Sequence, residues 1–168
     1  MLPAQLMGLN EKKFKQFNKL ITKKTFLNNL IDSVISTFKF IKHKKYNSVI
    51  LNYDPHSEDL FKWYQQLISE SLGKNSKGIL PVISLMPKDN HSILQLYLSG
   101  FKPNFYTFFI VEENKSFKLN SKILLNNYKF LKNKTAFEVL NAQRIATEKI
   151  FNKKNIPFRS FYIKKRNE

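Results

Sequence analysis

"NSVILNYDPHSEDLFKWYQQLISESLGKNSKGILPVISLM", residues 47–86, is the stretch whose reading decides the fold. It opens on NSVILNY (47–53), a short run rich in β-branched and aliphatic residues that reads as a buried strand. Asp54 then stands as an N-cap and Pro55 takes the first helical position, so a helix is expected over 55–72. Leu60, Phe61, Tyr64, Leu67, Ile68 and Leu72 recur on one face at helical spacing, and Gly73 is a natural stop. "GILPVISLM" (78–86) reads as a second strand. Strand, long helix and strand in succession form a crossover unit, which joins parallel strands.

The same alternation extends outward in both directions. Residues 24–42, "KTFLNNLIDSVISTFKFIK", place Phe26, Leu27, Leu30, Ile31, Val34, Ile35, Phe38 and Ile41 on one helical stripe. After the second strand comes the loop "PKDN", with Asn90 or Asp89 expected to cap a helix over 91–99 that Gly100 ends. "NFYTFFIV" (104–111) reads as a third strand. Thr135 with Glu138 makes a capping box for a helix over 136–152, and "PFRSFYI" (157–163) reads as a fourth strand. Residues 113–134 carry the weakest pattern, an excursion with one short strand near "KLNSKILL". No internal repeat or linker divides the chain. The expectation is an α/β fold: a three-layer α/β/α sandwich with a mostly parallel sheet, residues 1–23 as a linker or entry segment and 24–168 as one domain.

Composition narrows the function classes. The chain has 168 residues, 42% of them hydrophobic, enough for a core and too apolar for a disordered segment. No apolar run approaches the roughly 20 residues of a membrane-spanning helix, and "MLPAQLMGLN" does not read as a secretory leader. With no cysteine there is neither a disulfide framework nor a thiolate site, and a cytoplasmic protein is expected. Lys+Arg 29 against Asp+Glu 12 gives a net charge of +17, which attracts phosphate-bearing partners. Arginine, however, occurs only at 144, 159 and 166, and the lysines are scattered over every segment. Lysine, asparagine, isoleucine and phenylalanine share AT-rich codons, so genome composition accounts for this profile without a dedicated nucleic-acid face.

Dinucleotide, Walker and nucleophile-elbow motifs are absent, and His43, His56 and His91 do not fall at metal-ligand spacing with carboxylates. Neither a metal nor another cofactor is therefore expected. The aromatics occupy core-facing positions, where packing explains them better than base stacking. Glu70 and His91 remain. A glutamate near a helix end is ordinarily solvated. A histidine opening a helix just beyond a strand stands where open α/β sheets bind ligands.

Taken together, "WYQQLISESLGKNSKG" and "LPVISLMPKDNHSILQLYLSG" closely resemble the phosphoglucose isomerase family, especially its bacterial forms. There a Gln-x-x-x-Glu-Ser-x-Gly-Lys block precedes a strand and a loop ending in His-Ser, and "LPAQLMGLNEKKFKQFN" resembles the linker between two sugar-isomerase-type domains. The resemblance runs in order over essentially the whole chain. It implies isomerisation of glucose 6-phosphate to fructose 6-phosphate, with Glu70 as the base that moves a proton between C1 and C2. Gln66, one turn earlier, would line the substrate, and His91 would help open the pyranose ring. Such chemistry suits one carboxylate acting as base and then acid, and needs no metal or redox group. Lys74 is left without an assigned role.

A helix over 55–72 is about 27 Å long at 1.5 Å per residue, so Glu70 should end near the sheet edge opposite His91. Either one of the two is not catalytic, or the site is built between two subunits. The resemblance implies the second, a homodimer whose histidine comes from the neighbouring chain. It also implies that the sequence is an internal fragment holding most of the second sugar-isomerase domain. A Gly-Gly-Arg-Phe-Ser-type block with its arginine and a Gln-x-Gly-Val-Glu-type segment with its lysine are not in the chain. "LMPKDNHS" also departs from the Thr-Thr-Asp-Leu-His form common in bacterial members. Two alternatives stay open: a non-catalytic sugar-phosphate-binding module, and a basic RNA-binding protein.

Overall fold

The computed structural model describes residues 5–8, 10, 12, 16, 18–100, 102–112, 116–119 and 126–164. The chain forms two compact units, Met1–Lys44 and Lys45–Glu168. In the first, a short helix α1 (Asn18–Ile21) precedes the long helix α2 (Lys24–Lys42), which has the expected bounds. Its apolar stripe of Phe26, Leu30, Ile31, Val34, Ile35 and Phe38 is exposed.

The second unit is built on a four-stranded, all-parallel sheet: β1 (Asn47–Asn52), β2 (Leu80–Leu85), β3 (Asn104–Val111) and β4 (Phe158–Ile163), in the order β2-β1-β3-β4. Asn47 of β1 is level with both Leu80 and Asn104, so the three strands start together. Alternation sorts the side chains by face. Val49, Leu51, Tyr106, Phe108 and Ile110 join Tyr97 and Phe151 in one buried cluster, which is how α5 (Leu94–Ser99) and α6 (Ala136–Lys153) cover that face. On the other face Phe109 meets Phe61 edge-on at 4.9 Å, and the Ser48 and Tyr64 hydroxyls lie 3.3 Å apart. Both partners belong to α3 (Glu58–Leu72), so helices cover both faces and the expected three layers are present.

The structure corrects several boundaries. The first strand stops at Asn52, and Pro55–Ser57 is a 3-10 turn, so the α-helix begins at Glu58 rather than at Pro55. Asp54 does not cap main-chain amides with its side chain; its carboxylate accepts the Ser57 hydroxyl. The helix expected over 91–99 is two short ones, α4 (Asp89–Ser92) and α5, broken at Ile93 (φ −134, ψ −13). Asp89 is not its cap either, because that carboxylate accepts the Leu85 N–H at 2.8 Å and the Ser92 hydroxyl at 3.3 Å. Of the strand expected near "KLNSKILL", Lys118 makes an isolated antiparallel bridge with Thr135, and residues 120–125 lie outside the described residues.

Candidate functional site

Glu70 sits in the last turn of α3, on the side away from the sheet. Tyr64, Gln65 and Ile68 are half-buried, while Gln66 and Glu70 are exposed. Spacing of four residues puts these two on one stripe, and Gln66 Nε2 donates to Glu70 Oε1 at 3.0 Å. The pair expected from the sequence is thus in direct contact, with the amide donating to the carboxylate.

The turn after Glu70 is shaped by two glycines. A Cβ on Gly73 would lie 2.4 Å from the Ser69 carbonyl oxygen, whose hydrogen bond from the Gly73 N–H closes the helix. Gly78 has φ +148, a conformation open to glycine and strained for other residues. The chain can therefore reverse sharply and enter β2. Lys74 lies in this turn and is exposed.

His91 stands at the other end of that strand. Gln65 Nε2 donates to the Pro81 carbonyl at 3.0 Å, tying the later half of α3 to the start of β2. The Asp89 carboxylate is tied to Leu85, the last residue of β2, and places α4 there with His91 exposed on it. A six-residue strand spans about 17 Å, so within one chain Glu70 and His91 lie at opposite ends of β2. The structure brings together Gln66 and Glu70 and does not bring His91 to them.

Sequence reasoning took Asp54 for a helix cap and missed the other supports of the carboxyl edge. Asn52, Asp54, Ser57 and Ser84 are buried there, each under a tenth exposed. Asn52 Oδ1 accepts the Asp54 N–H at 2.9 Å, and the Ser84 hydroxyl meets the Tyr97 hydroxyl at 2.7 Å. Burial, partly offset by the Ser84 hydrogen bond, pushes the Tyr97 hydroxyl up, so it stays protonated and able to donate. No sequence pattern marks such residues, since serine and asparagine at strand ends are as common on open surfaces. Among the described residues no group of three His, Asp or Glu side chains converges to hold a metal, and no helix is long and apolar enough to cross a membrane.

Comparison with known proteins adds what geometry alone does not. The chain is 33% identical over 146 residues to glucose-6-phosphate isomerase of Methanocaldococcus jannaschii, covering 85% of this chain and 35% of that protein. It is 32% identical over 139 residues to a probable glucose-6-phosphate isomerase of Methanococcus maripaludis, covering 83% of this chain and 31% of that protein. The chain is a relative of the glucose-6-phosphate isomerases. The Campylobacter jejuni glucose-6-phosphate isomerase is 29% identical over 152 residues, which are 87% of this chain and 37% of that one. The chain therefore spans about a third of the length of the glucose-6-phosphate isomerases it matches, as a fragment of such an enzyme would. No protein-family model matches it. Among solved structures, a hypothetical protein of Thermus thermophilus superposes with a TM-score of 0.67 at 25% identity, over 76% of this chain and 32% of that one.

Proposed function

We propose that this chain is the part of a cytoplasmic glucose-6-phosphate isomerase that supplies the proton-transferring base and the ring-opening imidazole. Glu70 removes the proton at C2 of the open-chain sugar phosphate and returns it to C1 through an enediol. Gln66 orients the carboxylate and lines the substrate. His91 assists opening of the pyranose ring. The observation that carries this reading is the similarity to proteins named glucose-6-phosphate isomerase over more than four-fifths of the chain. The Gln66–Glu70 contact supports the assignment, because a base that must swing little between two adjacent carbons gains from a fixed orientation.

The separation of Glu70 and His91 along β2 fits a site made by two chains, one giving the carboxylate and the other the imidazole. Residues 1–23 act as the segment joining this domain to a preceding one, and 24–168 as the second sugar-isomerase-type domain.

The test is a transplant. The corresponding segment of the Methanocaldococcus jannaschii isomerase is replaced by this chain, and conversion of glucose 6-phosphate is measured. A turnover lowered at least about a hundredfold by Glu70→Gln, with substrate binding retained, is the expected result. A transplant that turns over and is indifferent to Glu70→Gln overturns the assignment. A folded transplant that binds the substrate but does not turn it over overturns the catalytic reading and leaves the sugar-phosphate-binding module.

A further inference from the structure

A parallel sheet returns every crossover to the same edge, so the turns that enter neighbouring strands lie side by side. At the amino edge of this sheet, three of those turns each bring a lysine. Lys45 stands two residues before β1, Lys102 two residues before β3, and Lys154 follows α6 on the way into β4. β1, β3 and β4 are neighbours in that order. All three lysines line one cavity of about 240 Å³, and none of its twelve lining residues is an aspartate or glutamate.

The cavity is anchored on fixed polar groups. Asn104, 4% exposed, donates to the Tyr106 hydroxyl at 2.8 Å and accepts from Asn47 Nδ2 at 2.8 Å. Tyr106 donates in turn to the Tyr97 carbonyl at 3.3 Å. The Lys45 ammonium bonds the Lys102 carbonyl at 3.0 Å, locking the turns into β1 and β3 together. Lys102 and Lys154 form no ion pair among the described residues.

Helix ends do not account for three cations. α5 and α6 both end near this edge. Two helix C-termini bring roughly one unit of negative charge at most, against three ammonium groups. The excess is positive, concave and partly walled from water. Ligand pockets for drug-sized molecules run from about 300 Å³ upward, so this one suits something smaller. We propose that the cavity is a binding site for a small phosphate-bearing anion of about pyrophosphate size. It lies at the sheet edge opposite His91 and owes nothing to the catalytic reading.

The probe is pyrophosphate, titrated calorimetrically into the full chain near physiological ionic strength, about 0.15 M. Saturable one-site binding is expected, with amide resonances of Gly100 and Asn155 shifting in parallel. Lys102→Gln combined with Lys154→Gln should raise Kd at least about tenfold. Lys88→Gln combined with Lys164→Gln removes the same charge from the carboxyl edge of the sheet, beyond β2 and β4, and should change Kd less than about twofold. Equal weakening by the two pairs means diffuse attraction by net charge and overturns the site. So does an absence of saturable binding. The resonance shifts are read on the unaltered chain, so shifts that bypass Gly100 and Asn155 overturn it even if a variant fails to fold.

Discussion

Phe151 holds the α6 side of the core together. It is fully buried and meets Tyr106 and Phe108 edge-on at 4.9 and 5.3 Å, with Phe158 at 6.0 Å. Such pairs add to the burial of the ring itself. Phe151→Ala should therefore cost about 3–5 kcal/mol, read as a lower urea midpoint at unchanged slope. Tyr106 tests a polar element in the same core. Burial outweighs its Asn104 hydrogen bond and pushes its hydroxyl from 10.0 to about 12. The sign follows from which state ionises first: below 10.0 the hydroxyl is neutral folded or unfolded, and its stabilising effect is complete. Between 10.0 and about 12 the unfolded chain ionises while the folded one resists, so stability falls as pH rises. Tyr106→Phe should be less stable by about 1–3 kcal/mol at neutral pH, having lost hydrogen bonds to Asn104 and the Tyr97 carbonyl. It should also lose less stability than the parent chain on going to a pH midway in that interval. Tyr53 and Tyr97 are likewise raised by burial, so the alkaline decline is reduced and not abolished.

Among the elements, α6 was the most legible because its start is written in local chemistry. Glu138 N–H donates to Thr135 Oγ1 at 3.1 Å, and Thr135 N–H donates to Glu138 Oε2 at 2.7 Å, the full capping box. Thr135→Ala should destabilise by about 1 kcal/mol, measurable in the same urea titration. The strands were legible because β-branched and aromatic runs, bounded by glycine, proline and asparagine, have few other readings, and parallel pairing follows from the helices between them. Gln66 and Glu70 were legible as one stripe of α3 for the same local reason. The stretch around His91 was not. "PKDNHS" offers two side chains able to cap, and the sequence cannot show that Asp89 turns back to the Leu85 N–H. That local bond, four residues back, competes with capping, and the expected helix is also interrupted at Ile93. Asp89→Ala should accordingly speed amide hydrogen exchange at Leu85, which loses its acceptor, while leaving exchange in α6 unchanged. Equal acceleration in both would mean global loosening and refute the local role of Asp89.

At the scale of the whole molecule the +17 charge and the proposed two-chain site make separate demands. Scattered lysines bind polyanions by counterion release, so RNA affinity should collapse between low and physiological salt, with little preference for sequence. A sequence-selective complex that persists at physiological salt would revive the RNA-binding reading. The proposed two-chain site has a sharper signature, read in the transplanted isomerase. Glu70→Gln keeps the shape of the side chain and removes its basicity, and His91→Gln should slow the cyclic sugar more than an open-chain analogue. Suppose each site takes Glu70 from one subunit and His91 from its partner. In a dimer of one Glu70→Gln chain and one His91→Gln chain, one site then carries both substitutions and the other carries neither. Mixing two inactive proteins should restore turnover, up to about half the parent rate per mixed dimer when sites act independently. If each site drew both residues from one subunit, every site would keep one defect and nothing would be regained. Differential tags show whether mixed dimers have formed. Mixed dimers that form and stay inactive would place both residues in the same subunit's site or remove one from catalysis, and the roughly 17 Å of β2 between them makes the second conclusion the stronger.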